Sequence, residues 1–190
     1  LFQTGERIDS ADNWYARRAP EIALLFSPYV YGYAPEPPPV TTAERARHLG
    51  SLDGAADILE LDVAIGEVHT GVVVFLPTTG SGPFPWMIGL NKCGNHTLTD
   101  APDVAVPTSW PDPACGEDAG ETGRGSKAAE WPITAALSRG VAVVSFAQSD
   151  LDPDDPDEEA RVGGVRAALP MEGPHASGSV RAWAWGISRG

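Results

Sequence analysis

The stretch Gly89-Leu90-Asn91-Lys92-Cys93-Gly94-Asn95-His96-Thr97 constrains this chain more than any other. It follows an apolar run, Pro85-Trp86-Met87-Ile88, that reads as a buried strand. A strand that opens into a Gly/Asn/His-rich loop is how α/β enzymes present backbone N–H groups and side chains to a substrate.

The elements around it fit an α/β domain. Residues 13–31 read as a helix, with Asn13 as N-cap, Trp14, Arg17, Arg18, Glu21, Ile22, Leu25 and Phe26 at helical spacing, and Gly32 beyond the end. Pro35-Glu36-Pro37-Pro38-Pro39 is a stiff connector, and residues 41–53 are polar and weakly patterned. Ile58–Ile65 alternates as a half-buried strand, while Gly71–Pro77 is continuous and β-branched, as an inner strand is. With Pro85–Leu90 these form an antiparallel start to a sheet that later becomes parallel. Residues 98–125 form a long loop, with Trp110 and Trp131 as anchors. A helix near Trp131–Arg139 ends at Gly140 and leads into the buried strand Val141–Phe146, the αβ step of a parallel sheet. The acidic run Asp150–Glu159 reads as a solvated loop, residues 162–169 as a short helix or turn, and Ser179–Arg189 as a helix.

Bulk properties exclude several function classes. The 190 residues suffice for one domain with a real core. A net charge of −13 without a Lys/Arg cluster makes nucleic acid and anionic membrane poor partners. No apolar run approaches the roughly 18 residues a spanning helix needs. Leu1 is not an initiator methionine and Gly190 falls inside a helical pattern, so both ends read as cut and the lack of a signal peptide carries no information. Cys93 and Cys115 bracket a Pro/Asp/Gly-rich loop. They either close it as a disulfide in an exported protein or stand as two free thiols, and spacing does not choose.

Several segments converge on one family. Trp14 through Arg18 with Tyr29-Val30-Tyr31-Gly32, Gly89-Leu90-Asn91 with Gly94-Asn95-His96-Thr97, Arg124-Gly125-Ser126 with Trp131-Pro132, Arg139–Val143, Asp150–Asp154 and Ala182–Arg189 occur in the order found in the glucuronoyl esterases. The chain resembles that family over nearly its whole length, most specifically at Asn91–Thr97 and Trp183–Arg189. The resemblance implies the N-terminal portion of an α/β-hydrolase three-layer sandwich with a mixed sheet. It implies a serine esterase acting, without a cofactor, on the ester between 4-O-methyl-glucuronate on xylan and a lignin alcohol. The family nucleophile lies in a Gly-Cys-Ser-Arg-x-Gly-Lys elbow on the strand after the Trp-Ala-Trp-Gly helix. That places the catalytic triad beyond residue 190, so residues 1–190 are expected to form one incomplete domain without a catalytic residue. Cys93 and Ala147-Gln148-Ser149 depart from the family pattern, and the second departure puts fine substrate preference, not the fold, in question.

Three residues are pocket candidates: Asn91, Asn95 and His96. The competing reading makes them structural groups that satisfy loop backbone. Asn95-His96-Thr97 also matches a glycosylation sequon. Gly186-Ile187-Ser188-Arg189-Gly190 matches the nucleophile-elbow pattern, but no strand precedes it, so Ser188 reads as helical. The acidic run lacks Ca²⁺-loop spacing, and His48, His69 and His175 have no zinc spacing, so no metal is expected. The tryptophans mostly fall on apolar faces and read as core. The expected whole protein is a secreted or periplasmic monomer that meets a glucuronoxylan–lignin ester. The rival readings are a non-catalytic α/β module and another carbohydrate esterase such as an acetyl xylan esterase.

Overall fold

The hairpin at Gly66 sets the sheet's first register. In the computed structural model, which describes residues 2–109, 112–157 and 163–189, β2 (Ala56–Ile65) and β3 (Val68–Pro77) pair antiparallel from Ile65↔Val68 to Ala56↔Pro77. Gly66 takes φ +62° at the two-residue turn, a conformation glycine adopts without steric cost. β1 (Val40–Ser51) pairs antiparallel with β2 on one side. On the other side β5 (Ala142–Ala147) runs antiparallel to β3, and β4 (Trp86–Asn91) runs parallel to β5, giving the order β1-β2-β3-β5-β4.

Four of these strands lie where the sequence places them, and the antiparallel start with a later parallel step is present. Two features differ. β4 does not follow β3 in space, because β5 inserts between them. Residues 41–53 are not unpatterned chain, because most of that stretch is β1. Both faces of β1 are largely exposed, so no apolar alternation marks it, and pairing with β2 makes it a strand.

The N-terminal helix α1 is built from end-to-end segments: α-helical Ala11–Asn13, π-helical Trp14–Arg18, α-helical Ala19–Phe26 and π-helical Ser27–Tyr31. Ser10, not Asn13, is its cap, since Ser10 Oγ accepts from the Asn13 amide at 3.2 Å. Pro20 and Pro28 each remove an amide donor near an α/π boundary, which favours a shifted hydrogen-bond register there.

Helices cover both faces of the sheet. On one face Ile58, Val73, Phe75 and Val143 pack with Leu98, Val104 and with Ile133 and Leu137 of α2 (Ile133–Leu137). On the other, Val63, Ile65, Val72 and Phe146 pack with Leu151 of α3 (Gln148–Leu151), Val165 of α4 (Gly164–Ala168), and Ala182 and Trp185 of α5 (Ser179–Ile187). Each fully buried phenylalanine here stabilises the fold by about 1.5–3 kcal/mol. Part of the second face stays open: Leu61, Val74, Ile88 and Val144 line an apolar groove of about 250 Å³ that reaches Trp86.

The tryptophans divide. Trp185 is buried, Trp131 and Trp183 are half-buried against the two cores, but Trp86 is 63% exposed on the edge strand and Trp14 is exposed on α1. Trp110 lies outside the described residues. The expected loop anchor at Trp131 is in place, its ring lying over Gly89, where an added Cβ would sit 2.6 Å from the indole.

Candidate functional site

The parallel pairing of β4 and β5 brings Asn91 opposite Ala147 at their C-terminal ends. Ligands of open α/β sheets bind outside that end of the strands. Three pieces of chain meet there: the loop after β4, helix α3 after β5, and the start of β3 at Gly71.

Each pocket candidate is committed to a protein contact. Asn91 Nδ2 donates to Gly94 O at 2.9 Å and Thr97 Oγ1 at 3.0 Å, and its Oδ1 accepts from the Cys93 amide at 3.1 Å. Asn91 therefore moulds the loop. Gly94 must be glycine at φ +92°, because a Cβ there would meet the Pro107 ring at 2.6 Å. Asn95 Nδ2 donates to Gly71 O at 2.8 Å while its Oδ1 accepts from Ser145 Oγ at 2.8 Å, so it straps β3 to β5. Only 3% of Asn95 is exposed, which closes the sequon to glycosylation in the folded chain.

His96 is fully buried in the single 3-10 turn Asn95–Leu98. Its Nε2 lies 3.1 Å from Asp118 O and 3.0 Å from Gly120 O, so Nε2–H donates to both carbonyls. Nδ1 has no hydrogen-bond partner among the described residues. Burial pushes the imidazole pKa down, and the two carbonyl contacts oppose that push. The Cys93–Cys115 disulfide closes beside it, so the open question of the two thiols resolves as a bond. The disulfide and His96 together fasten residues 113–120 to the β4 loop.

Two cavities flank these residues. On the β4 side, about 310 Å³ is lined by Leu90, Asn91, Lys92, Lys127, Glu130 and Trp131. Its lysines are paired: Lys127 Nζ sits 3.1 Å from Glu130 and 3.2 Å from Asp118, and Lys92 Nζ 3.8 Å from Asp112. On the β3 side, about 210 Å³ is lined by Arg45, Glu60, His69, Gly71, Asn95 and Asp150, with residues 105–108 as the far wall. Asn91 thus borders one cavity, Asn95 the other, and His96 neither.

The acidic run is not simply a solvated loop. Asp150 makes long-range bonds: Oδ2 accepts from the Gly71 amide at 3.0 Å and Oδ1 from Ser109 Oγ at 2.9 Å. Burial pushes its carboxyl pKa up, against the pull of those two donors. Asp152 is fully buried and clasped by Arg166. Turn geometry cannot be read from Asp-Pro spacing once a distant arginine neutralises the charge. Glu158 and Glu159 lie outside the described residues.

Ser188 stands at the end of α5 with φ −73° and ψ −4°, and its Oγ donates to Trp185 O at 2.7 Å. It is a helical residue, as the missing strand implies. Among the described residues no serine hydroxyl bonds to a histidine ring, and no three His, Cys, Asp or Glu converge to hold a metal.

Sequence reasoning missed Arg45, His69 and Glu60 as cavity-lining groups, and Asp62 as the residue that bonds Arg45 and His69. Glu60 carried a signal: it shares a strand face with Ala56 and Ile58, both fully buried, and is itself only 2% exposed.

A mixed sheet with helices on both faces and a loop-built site at the parallel strand ends defines the α/β-hydrolase class. No family model matches the chain. A structure of a glucuronoyl esterase from Solibacter usitatus matches at TM-score 0.83 and 25% identity, covering 100% of this chain and 50% of its own. A promiscuous CE15 esterase from the marine bacterial metagenome matches at TM-score 0.78 and 26% identity, with the same coverage. Carbohydrate esterase MZ0003, from an unknown prokaryotic organism, is 28% identical over 200 residues, 97% of this chain and 45% of that protein. The fold is that of the glucuronoyl esterases, and the resemblance read from the sequence is borne out. The chain spans about half the length of the relatives it matches.

Proposed function

We propose that these residues form one incomplete α/β-hydrolase domain of a longer serine carboxylic-ester hydrolase. The whole protein splits glucuronate esters that join xylan to lignin alcohols, as an exported monomer without a cofactor. The observation that carries this reading is the likeness to glucuronoyl esterase structures over the full chain. The half-length match and the open apolar groove beside β4 support an incomplete domain. The Cys93–Cys115 disulfide supports export, because such bonds persist in oxidising compartments.

In this reading the described residues build the site's flank. Asn91, Asn95 and His96 hold the loop in shape beside the substrate pocket, and the nucleophile comes from chain outside these residues. Residues 1–190 alone are inert, since acyl transfer without nucleophile and base loses most of its acceleration. The test is the full-length protein on benzyl glucuronate against acetylated xylan. Hydrolysis of the glucuronate ester supports the reading, and preference for the acetyl ester overturns it.

A further inference from the structure

The cavity on the β3 side holds more fixed polar chemistry than the fold needs. Asp62 organises one wall: its Oδ1 accepts from Arg45 Nη2 at 2.9 Å, and its Oδ2 lies 3.0 Å from His69 Nδ1. His69 Nε2 makes no hydrogen bond to the described residues. Glu60 uses Oε1 to accept from the Ala105 amide at 2.9 Å, and its Oε2 accepts no hydrogen bond from the described residues. Arg45 Nη1 and Nε make no hydrogen bond to the described residues, and Nη1 forms a loose ion pair with Glu60 Oε1 at 4.0 Å. The His69 ring and the Glu60 carboxylate therefore border the same space as the donor fork of Arg45.

We propose that this cavity is a subsite for one neutral, hydroxyl-rich sugar ring. A sugar hydroxyl both gives and takes a hydrogen bond, so vicinal hydroxyls satisfy mixed donors and acceptors at once. An anionic ligand would meet Glu60 and Asp150. A metal would need three converging ligands, which the described residues do not supply. The volume, about 210 Å³, falls below the roughly 300–1,000 Å³ of larger ligand pockets and suits a single ring. Nearly buried Glu60 holds the Ala105 amide with Oε1, which leaves Oε2 to a ligand. The cavity opens at the sheet end that carries Asn95 and Ala147, so its sugar is a neutral unit of the glycan bearing the ester.

The assignment of a glycan rests on the proposed esterase reading, and the experiment keeps the two apart. Xylotetraose, which carries no ester, is titrated into the full-length protein by calorimetry, and benzyl glucuronate turnover is measured separately. The expected result is binding to the parent protein and at least a tenfold loss of affinity in His69→Ala and in Arg45→Ala. Arg17→Ala, on α1, retains the parent affinity. If a variant lowers the melting temperature, His69→Gln replaces it and the same criterion applies. Absent binding, or parent affinity in the variants, overturns the subsite whatever the esterase assay gives. Binding lost in the variants of a protein inactive on glucuronate esters upholds the subsite and defeats the esterase reading.

Discussion

Arg166 clasps the buried carboxylate of Asp152 with two hydrogen bonds, Nη2 to Oδ1 at 2.6 Å and Nε to Oδ2 at 2.8 Å. The same guanidinium reaches Ser179 Oγ at 2.7 Å, and Trp183 Nε1 donates to Asp152 O at 2.8 Å. One aspartate thus fixes α4 and α5 to the end of α3. Arg166→Met strands a buried negative charge and should cost about 3–5 kcal/mol. The double variant Asp152→Leu/Arg166→Met removes both charges and should recover much of that loss. Urea unfolding of the three proteins measures both effects.

Ser188 gives its hydroxyl to its own helix, so Ser188→Ala should change turnover of benzyl glucuronate by the full-length protein less than about twofold. Loss of a true nucleophilic serine costs on the order of 10⁶ in kcat. A fall of that size would restore Ser188 as the nucleophile.

His96 couples stability to pH. Its pKa in the folded chain lies below the ordinary 6.5, so between those two values the unfolded chain binds more protons. Its contribution to stability is complete above pH 6.5 and declines as pH falls through that window. Protonation would place a proton on the buried, unpartnered Nδ1. Asp150 has the opposite sign: its raised pKa means its contribution is largest at acid pH and is lost as pH rises from 3.8 through the folded value. Denaturant titrations from pH 4 to pH 8 should show a His96→Gln variant without the decline below 6.5.

The Cys93–Cys115 bridge closes a sequence separation of 22. Loop-closure entropy for such a span is worth about 3 kcal/mol. The Cys93→Ser/Cys115→Ser protein should be less stable by that order, and reductant should lower the melting temperature of the parent but not of the variant. Equal sensitivity of both proteins to reductant would count against the bond.

The strands Ile58–Ile65, Gly71–Pro77, Pro85–Leu90 and Val141–Phe146 were legible because burial on one or both faces leaves a periodic or continuous apolar trace. β1 left none, since its side chains face solvent on both sides and its identity depends on a partner. The position of β5 between β3 and β4 is a long-range choice that no local pattern records. At the site, Asn91, Asn95 and His96 were legible as a cluster because they share one short loop. The direction of the Asn95 and His96 side chains was not, because the acceptors Gly71, Asp118 and Gly120 are remote in sequence, whereas Asn91 bonds within its own loop. Arg45, Asp62 and His69 stayed hidden for the same reason: three strands contribute one residue each.

The two margins of the sheet are chemically unlike. β1 carries the Glu44–Arg47 pair and Arg45, bridged to Asp62, along its outer rim. Charges of this kind discourage a stranger's backbone from docking. β4, from Trp86 to Leu90, has no charged side chain at all. The first margin is therefore guarded against an incoming strand, and the second carries no such guard.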